Sequence, residues 1–317
     1  MSAPADLDPE RFAIHRASPR GFLQAYVREG TGGIPLLLVH GWPETKRIYW
    51  KVITPLANAG FEVIVPDLRG FGDSDLGPDG FHDVWSHSHD LYALVHDHLG
   101  HERVVLAGGD LGGPVVQDLA LRHPEWVDRM VLFNSPLPFD KETMAGLRTR
   151  PAAEASDYFV RQGTDADALA QELATPEQRR RYIATFYTSR FWAHPGAFAS
   201  EGRSPKNHPA ASEQVDFHTE PFGDGAKLRA SFGAYESTFS ATARAGETLL
   251  ARNERTPTLI LFGPSDHVLY PDFDRMAALV FPQHVGPFLL RDCGHFVPWE
   301  APHAFTSAVS VFAGQRG

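Results

Sequence analysis

Six residues, Gly108-Gly109-Asp110-Leu111-Gly112-Gly113, join the apolar run Val104 to Ala107 to the helix-forming stretch GPVVQDLALRHPEW. A β-strand that turns at once into an α-helix must hold its turn residue in a strained backbone above the sheet edge. The two elements then lie so close that the positions two before and two after the tip must be small, and Gly108 and Gly112 satisfy that need. The tip is Asp110, at a helix N-terminus, where free N–H groups and the helix dipole favour negative charge. Taken alone, the same residues also describe a glycine-rich turn with an N-capping aspartate.

The rest of the chain supplies the sheet that such a turn requires. Short apolar runs read as buried strands at Ile34 to Val39, Phe61 to Val65, Val104 to Ala107, Met130 to Phe133, Thr258 to Phe262 and Phe288 to Leu290. Candidate helices lie between and after them, for example at 84–99, 113–122 and 299–313. Strand and helix in alternation predict an α/β fold with a mostly parallel sheet covered on both faces. From about Leu137 to about Ala245 the rhythm stops. This segment is polar, rich in Arg and Gln, and has helical patches such as 165–174 and 176–188. It reads as a helical cap (138–245) inserted into a core made of 1–137 and 246–317.

Two further elements follow in a telling order. After the insertion the strand TLILF runs into Gly263-Pro264-Ser265-Asp266, which places Asp266 just past a strand end. His295 then stands in a loop before the last helix, in FLLRDCGHFVPWEAP. Nucleophile, acid, histidine is the chain order of the triad in α/β-hydrolases. A fourth element, His40-Gly41-Trp42-Pro43, closes the strand LLLV. A main-chain N–H offered there, together with one from the residue after the nucleophile, would make an oxyanion hole, so Trp42 and Leu111 are the candidate donors. The tightness of the turn suggests a cis Trp42–Pro43 bond.

Composition excludes several other classes. The net charge of −10 opposes nucleic acid and anionic membrane surfaces alike. No apolar run approaches the roughly 20 residues that span a bilayer. The N-terminal MSAPADLDPERF lacks the apolar stretch of a secretory signal. A single cysteine, Cys293, rules out an intrachain disulfide and fits a reducing cytoplasm.

The segments HGWPETKRIYWKVITPLANAGFEVIVPDLRGFGDSD, GGDLGGPV, GPSD and DCGHFVPWEAP resemble the epoxide hydrolase and haloalkane dehalogenase branch of the α/β-hydrolase superfamily. The resemblance covers roughly 20–137 and 246–314. It implies an eight-stranded, mostly parallel sheet under a helical cap, and no cofactor. It also implies Asp110 as nucleophile, His295 as base and Asp266 as the acid that orients it.

An aspartate at the tip narrows the chemistry. A carboxylate that attacks an ester makes a reactive anhydride, whereas one that attacks an sp³ carbon makes an ordinary alkyl ester. The second route needs a strained or good leaving group, either an epoxide oxygen or a halide. His295 would then activate water against the carboxyl carbon of Asp110. Resembling haloalkane dehalogenases hold the halide with a tryptophan after the nucleophile and often have Asn in the HGxP turn; here those positions are Leu111 and Trp42. Fluoroacetate dehalogenases carry Arg after the nucleophile, and their cap His-Trp pair falls at Ser156 and Asp157. Resembling epoxide hydrolases instead protonate the oxygen with cap tyrosines. KLRASFGAYES resembles their late-cap helix and aligns Tyr235 with its tyrosine. In the early-cap segment the first tyrosine falls at Ala155, three residues before Tyr158, which leaves Tyr158 or Tyr187 to substitute or Tyr235 to act alone. Gly109 is a second departure, because resembling chains commonly have histidine there.

The expected substrate is therefore a small apolar epoxide, with water as co-substrate. A dehalogenase with another halide site and a silent ligand-binding member of the fold are the alternatives, and both monomer and homodimer stay open. Other conspicuous residues read as structural. His82, His87, His89, His96, His98 and His101 spread around an expected surface helix and predict no metal site. His267 reads as a rim or surface residue, Asp67 as a loop brace and Cys293 as packed. Phe191 and Trp192 fit cap core and pocket wall equally well.

Overall fold

The computed structural model describes residues 5–151, 153–199 and 212–314. Eight strands form one sheet: β1 (Ile14–Ala17), β2 (Gln24–Glu29), β3 (Ile34–Val39), β4 (Phe61–Pro66), β5 (Val104–Gly109), β6 (Val127–Phe133), β7 (Thr258–Phe262) and β8 (His284–Leu289). Their order is β1-β2-β4-β3-β5-β6-β7-β8. The first two pair antiparallel and β3 to β8 run parallel. Helices cover the sheet: α1 (Trp50–Asn58), α2 (Val84–Tyr92) and α3 (Gly112–Arg122) before the insertion. The insertion contributes α4 (Ala153–Thr164), α5 (Ala166–Glu172), α6 (Pro176–Tyr187), α7 (Glu213–Thr219), α8 (Gly225–Ser231) and α9 (Gly233–Phe239). Then come α10 (Phe273–Val280), α11 (Val297–Glu300) and α12 (Pro302–Ala313).

Central strands such as β4 and β5 are buried along their whole length, which explains their unbroken apolar runs: both faces are covered and no polar alternation survives. In the insertion, α4 packs on α9, α5 on α8 and α6 on α7. The parallel register brings the carboxyl ends of the strands to one edge. Val39 lies beside Gly108, Gly109 beside Phe133, and Phe133 beside Leu261. The loops that follow these strands therefore open onto a common crevice, where parallel α/β sheets bind ligands.

Several expectations need correction. The last strand is not buried; β8 is the sheet's edge, and Phe288 and Leu289 are 49% and 55% exposed. Residues 299–313 are two helices, because Pro302 lacks an N–H and begins a new helix at its first turn. The stretch 84–99 is α-helical only to Tyr92 and continues as a π-helical turn over Ala93–His98. Its histidines do not ring a surface helix, since His87 is fully buried and His82 nearly so. Among the described residues no group of three or more His, Cys, Asp or Glu could hold a metal ion. No helix there is long and apolar enough to cross a membrane.

Candidate active site

The sharp turn after β5 places Asp110 at its tip with a φ of 44°, in the left-handed region that costs a non-glycine residue energy. Its N–H donates to Asn134 O (2.8 Å), and Gly113 N–H donates to its carbonyl (3.0 Å). The glycines are sterically required. A Cβ on Gly108 would lie 2.5 Å from Gly112 O, and one on Gly112 would lie 2.2 Å from Val39 O. Gly41, from the loop after β3, passes so close that a Cβ there would lie 2.5 Å from Asp110 Cβ.

That approach delivers the next donor. Trp42 N–H donates to Asp110 Oδ1 at 2.7 Å. The Trp42–Pro43 bond is cis, as the turn suggested. His40 braces the loop, its Nε2 accepting from Leu68 N–H (3.0 Å) while Nδ1 lies 2.9 Å from Gly41 O. Leu111 follows Asp110 with its side chain on the cavity wall and no polar group to offer.

Asp110 Oδ2 lies 3.3 Å from His295 Nε2, and His295 Nδ1 lies 2.9 Å from Asp266 Oδ2. The fold thus brings the three residues into one line. Asp266 Oδ1 accepts the Val268 N–H at 2.7 Å, which fixes the carboxylate. Burial opposes the imidazolium, but Asp266 and Asp110 outweigh it, and the His295 pKa stands well above its ordinary value.

Over Asp110 lies a cavity of about 660 Å³, walled by Leu111, Pro114, Phe159, Val268 and Leu269 and reached by Tyr158 and Tyr235. Tyr158, on α4, meets Tyr235, on α9, edge to face with ring centroids 5.8 Å apart. The two hydroxyls interact, which favours ionisation of Tyr158 and opposes that of Tyr235. Burial, the larger cause, lifts both pKa values well above the ordinary phenol range. The pair is present although Ala155 stands at the first aligned position: Ala155 is buried, and Tyr158 enters the cavity one turn later. Tyr187 is not a third member, because its hydroxyl donates to Pro43 O at 2.6 Å.

The family model for the alpha/beta hydrolase fold matches residues 34–302. The chain belongs to that family. Within it, the hydrolase is 38% identical over 308 residues to the soluble epoxide hydrolase of Corynebacterium sp. (strain C12), covering 95% of this chain and 98% of that one. It is 27% identical to haloalkane dehalogenase 2 of Mycobacterium bovis, covering 98% of each. The solved structure of the epoxide hydrolase CorEH without ligand superposes with a TM-score of 0.74 at 26% identity, covering 96% of this chain and 99% of that one. These matches place the hydrolase in the branch that its motifs resemble.

Around the site stand residues of the hydrolase that sequence patterns did not single out. Asn134 ends β6 with a φ of 33° and donates to Asp266 Oδ2 (2.9 Å), Gly263 O and Gly294 O (both 3.2 Å), so one amide ties the acid to the histidine loop. Glu300 accepts the N–H groups of Gly294, Phe296 and His194 and holds that loop from below. Glu44 is buried and accepts Gly41 N–H at 2.6 Å. Burial first, then His295 lowering and Asp110 raising it, leave its pKa pushed up to about 7. The conspicuous residues keep their structural roles. Asp67 binds Lys46 Nζ (2.6 Å) and the Asp73 N–H (2.8 Å). His267 is exposed, on a separate cavity lined by Arg190, Phe191 and Pro271. Cys293 is buried, which pushes its thiol pKa up. Trp192 packs on His295 at 4.6 Å between ring centroids, whereas Phe191 faces the His267 cavity.

Proposed function

We propose that the chain opens epoxides to vicinal diols, in a core (1–137 and 246–317) beneath a helical cap (138–245). The observation that carries this reading is the placement of two phenols, Tyr158 and Tyr235, in one cavity with the carboxylate of Asp110. The likeness to a soluble epoxide hydrolase supports it. Asp110 Oδ2 attacks a ring carbon, the strained C–O bond breaks, and the departing oxygen takes a proton from the phenol pair. Their raised pKa values keep both phenols protonated until that alkoxide develops. Oδ1 stays on the Trp42 N–H and becomes the ester carbonyl oxygen.

Alkylation removes the charge of Asp110 and, with it, one support of the His295 cation, which releases its proton to solvent and leaves the imidazole available as a base. His295 takes a proton from water, whose oxygen attacks Cγ of Asp110. The oxyanion on Oδ1 stays on the Trp42 N–H, with the Leu111 N–H proposed as the second donor. Collapse expels the diol alkoxide, which takes the proton back from His295. The carboxyl proton left on Asp110 restores the phenol, and His295 takes up a proton from solvent beside the restored carboxylate. Asp266 holds the ring throughout.

A single turnover in ¹⁸O water tests this scheme. The first diol should carry unlabelled oxygen, drawn from Asp110, and the label should appear in the peptide that contains Asp110. Label in the first diol and none in the peptide would mean direct attack by water. Halide release from chloro- and bromoalkanes without epoxide turnover would assign a dehalogenase, and neither activity would assign a silent ligand-binding protein.

A further inference from the structure

The two phenols must be aimed by something. Among the described residues, neither hydroxyl forms a short hydrogen bond with a main-chain group or a side chain other than its partner phenol. Their direction therefore rests on how their rings pack. Both rings pack against the indole of Trp42. Tyr158 lies parallel to it, with an interplanar angle of 6° and centroids 5.4 Å apart. Tyr235 meets it edge-on, at 88° and 5.7 Å. Phe186 closes on the same indole at 4.8 Å.

The indole is itself pinned. It is fully buried, and its Nε1 donates to Ser231 Oγ at 3.1 Å. Ser231 ends α8 and spends its own hydroxyl proton on Leu228 O at 2.7 Å, which leaves an oxygen lone pair facing the indole. At its other end Trp42 donates its main-chain N–H to Asp110 Oδ1. One rigid side chain thus spans the distance from the nucleophile to the cap. We propose that the Trp42 indole, anchored by Ser231, sets both phenols over Asp110, so that the indole and Ser231 are positioning residues for the proton-transfer step. This inference rests on the epoxide reading above. It is separate from the oxyanion role of the Trp42 main chain.

A shift of about 1 Å in a reacting group can cost on the order of 10²-fold in rate. Misaimed phenols should do more than slow alkylation. They should leave more charge on the departing oxygen, so the rate should depend more steeply on how basic that oxygen is. The experiment is single-turnover alkylation of Asp110 by terminal epoxides with substituents of graded electron withdrawal, all opened at the terminal carbon. Ser231→Ala and Trp42→Phe, which both keep the Trp42 N–H, are compared with wild type, Tyr235→Phe, Tyr158→Phe and Ser231→Thr. The expected result is alkylation slowed roughly tenfold or more, with a steeper dependence on alkoxide basicity and little change in ester hydrolysis. Ser231→Thr, which keeps a hydroxyl, should restore the wild-type slope.

Uniform slowing at an unchanged slope would overturn the proposal, because lost packing alone slows all substrates alike. Tyr235→Phe separates the two levels of the argument. If Tyr235→Phe steepens the slope and the Ser231 and Trp42 variants do not, the positioning role fails and the epoxide reading stands. If wild type forms no adduct, or neither Tyr235→Phe nor Tyr158→Phe changes the slope, the reading beneath it fails as well. Should Trp42→Phe not fold, Ser231→Ala and Ser231→Thr decide the matter between them.

Discussion

The two oxygens of Asp110 have different partners, Trp42 N–H for one and His295 for the other, and the proposed scheme uses both. Asp110→Asn keeps the shape and removes the proposed nucleophile. Turnover should vanish in freshly purified protein whose mass excludes deamidation, and full activity would end the covalent scheme. In the proposed scheme alkylation needs no base and hydrolysis does, so His295→Gln should separate the two half-reactions. Intact-protein mass should show an adduct that persists, whereas His267→Gln, on its separate cavity, should turn over normally. Losing a general acid costs ~10²–10⁴ in rate; Tyr235→Phe and Tyr158→Phe should each lose alkylation rate, and wild-type alkylation in both would remove the phenols from the mechanism. That Asp110, Asp266 and His295 come together is legible in the sequence, because chain order and strand ends place all three at one sheet edge. Asn134 and Glu44 are not. Each is one polar residue beside a motif, and only the convergence of distant loops gives it partners.

Among the elements, the turn after β5 is the least tolerant of change. An alanine at Gly112 would drive its Cβ to 2.2 Å from Val39 O, a main-chain atom that cannot rotate away. Gly112→Ala should cost about 1–3 kcal/mol or more, read as a lower denaturant midpoint, and an unchanged midpoint would mean that β3 and α3 can separate freely. This element was legible to the residue because its demands are local. α4 was less so. Aligned positions put its tyrosine at Ala155, but a helix offers its cavity face again one turn later, and Tyr158 uses it. The edge strand β8 departs for the opposite reason: its apolar run reads as buried, yet among the described residues Phe288 and Leu289 stay about half exposed. The β1–β2 hairpin escaped notice because IHRA and QAYVRE carry no continuous apolar run.

For the molecule as a whole, the interrupted alternation of strand and helix was enough to foresee a parallel sheet with a helical insertion. The insertion's internal pairing was not, because its patches are short and polar. One consequence reaches the stability of the entire fold. The Glu44 pKa is raised to about 7 in the folded chain, so its contribution is fully present below the unfolded value and is lost as pH rises through 7. Above that pH the charged form costs the fold up to roughly 3 kcal/mol. Glu44→Gln can still accept the Gly41 N–H and carries no charge. Its denaturant midpoint should match wild type near pH 5 and exceed it near pH 8; a difference that does not change with pH would mean that Glu44 titrates as it does in the unfolded chain.

The glycine before Asp110 couples two strands. A Cβ on Gly109 would lie 2.3 Å from the ring of Phe133 and 2.7 Å from its carbonyl oxygen. Any side chain at this position, the histidine of resembling chains included, therefore needs the Phe133 ring and the β6 main chain to shift together, which ties tolerance at 109 to the residue at 133.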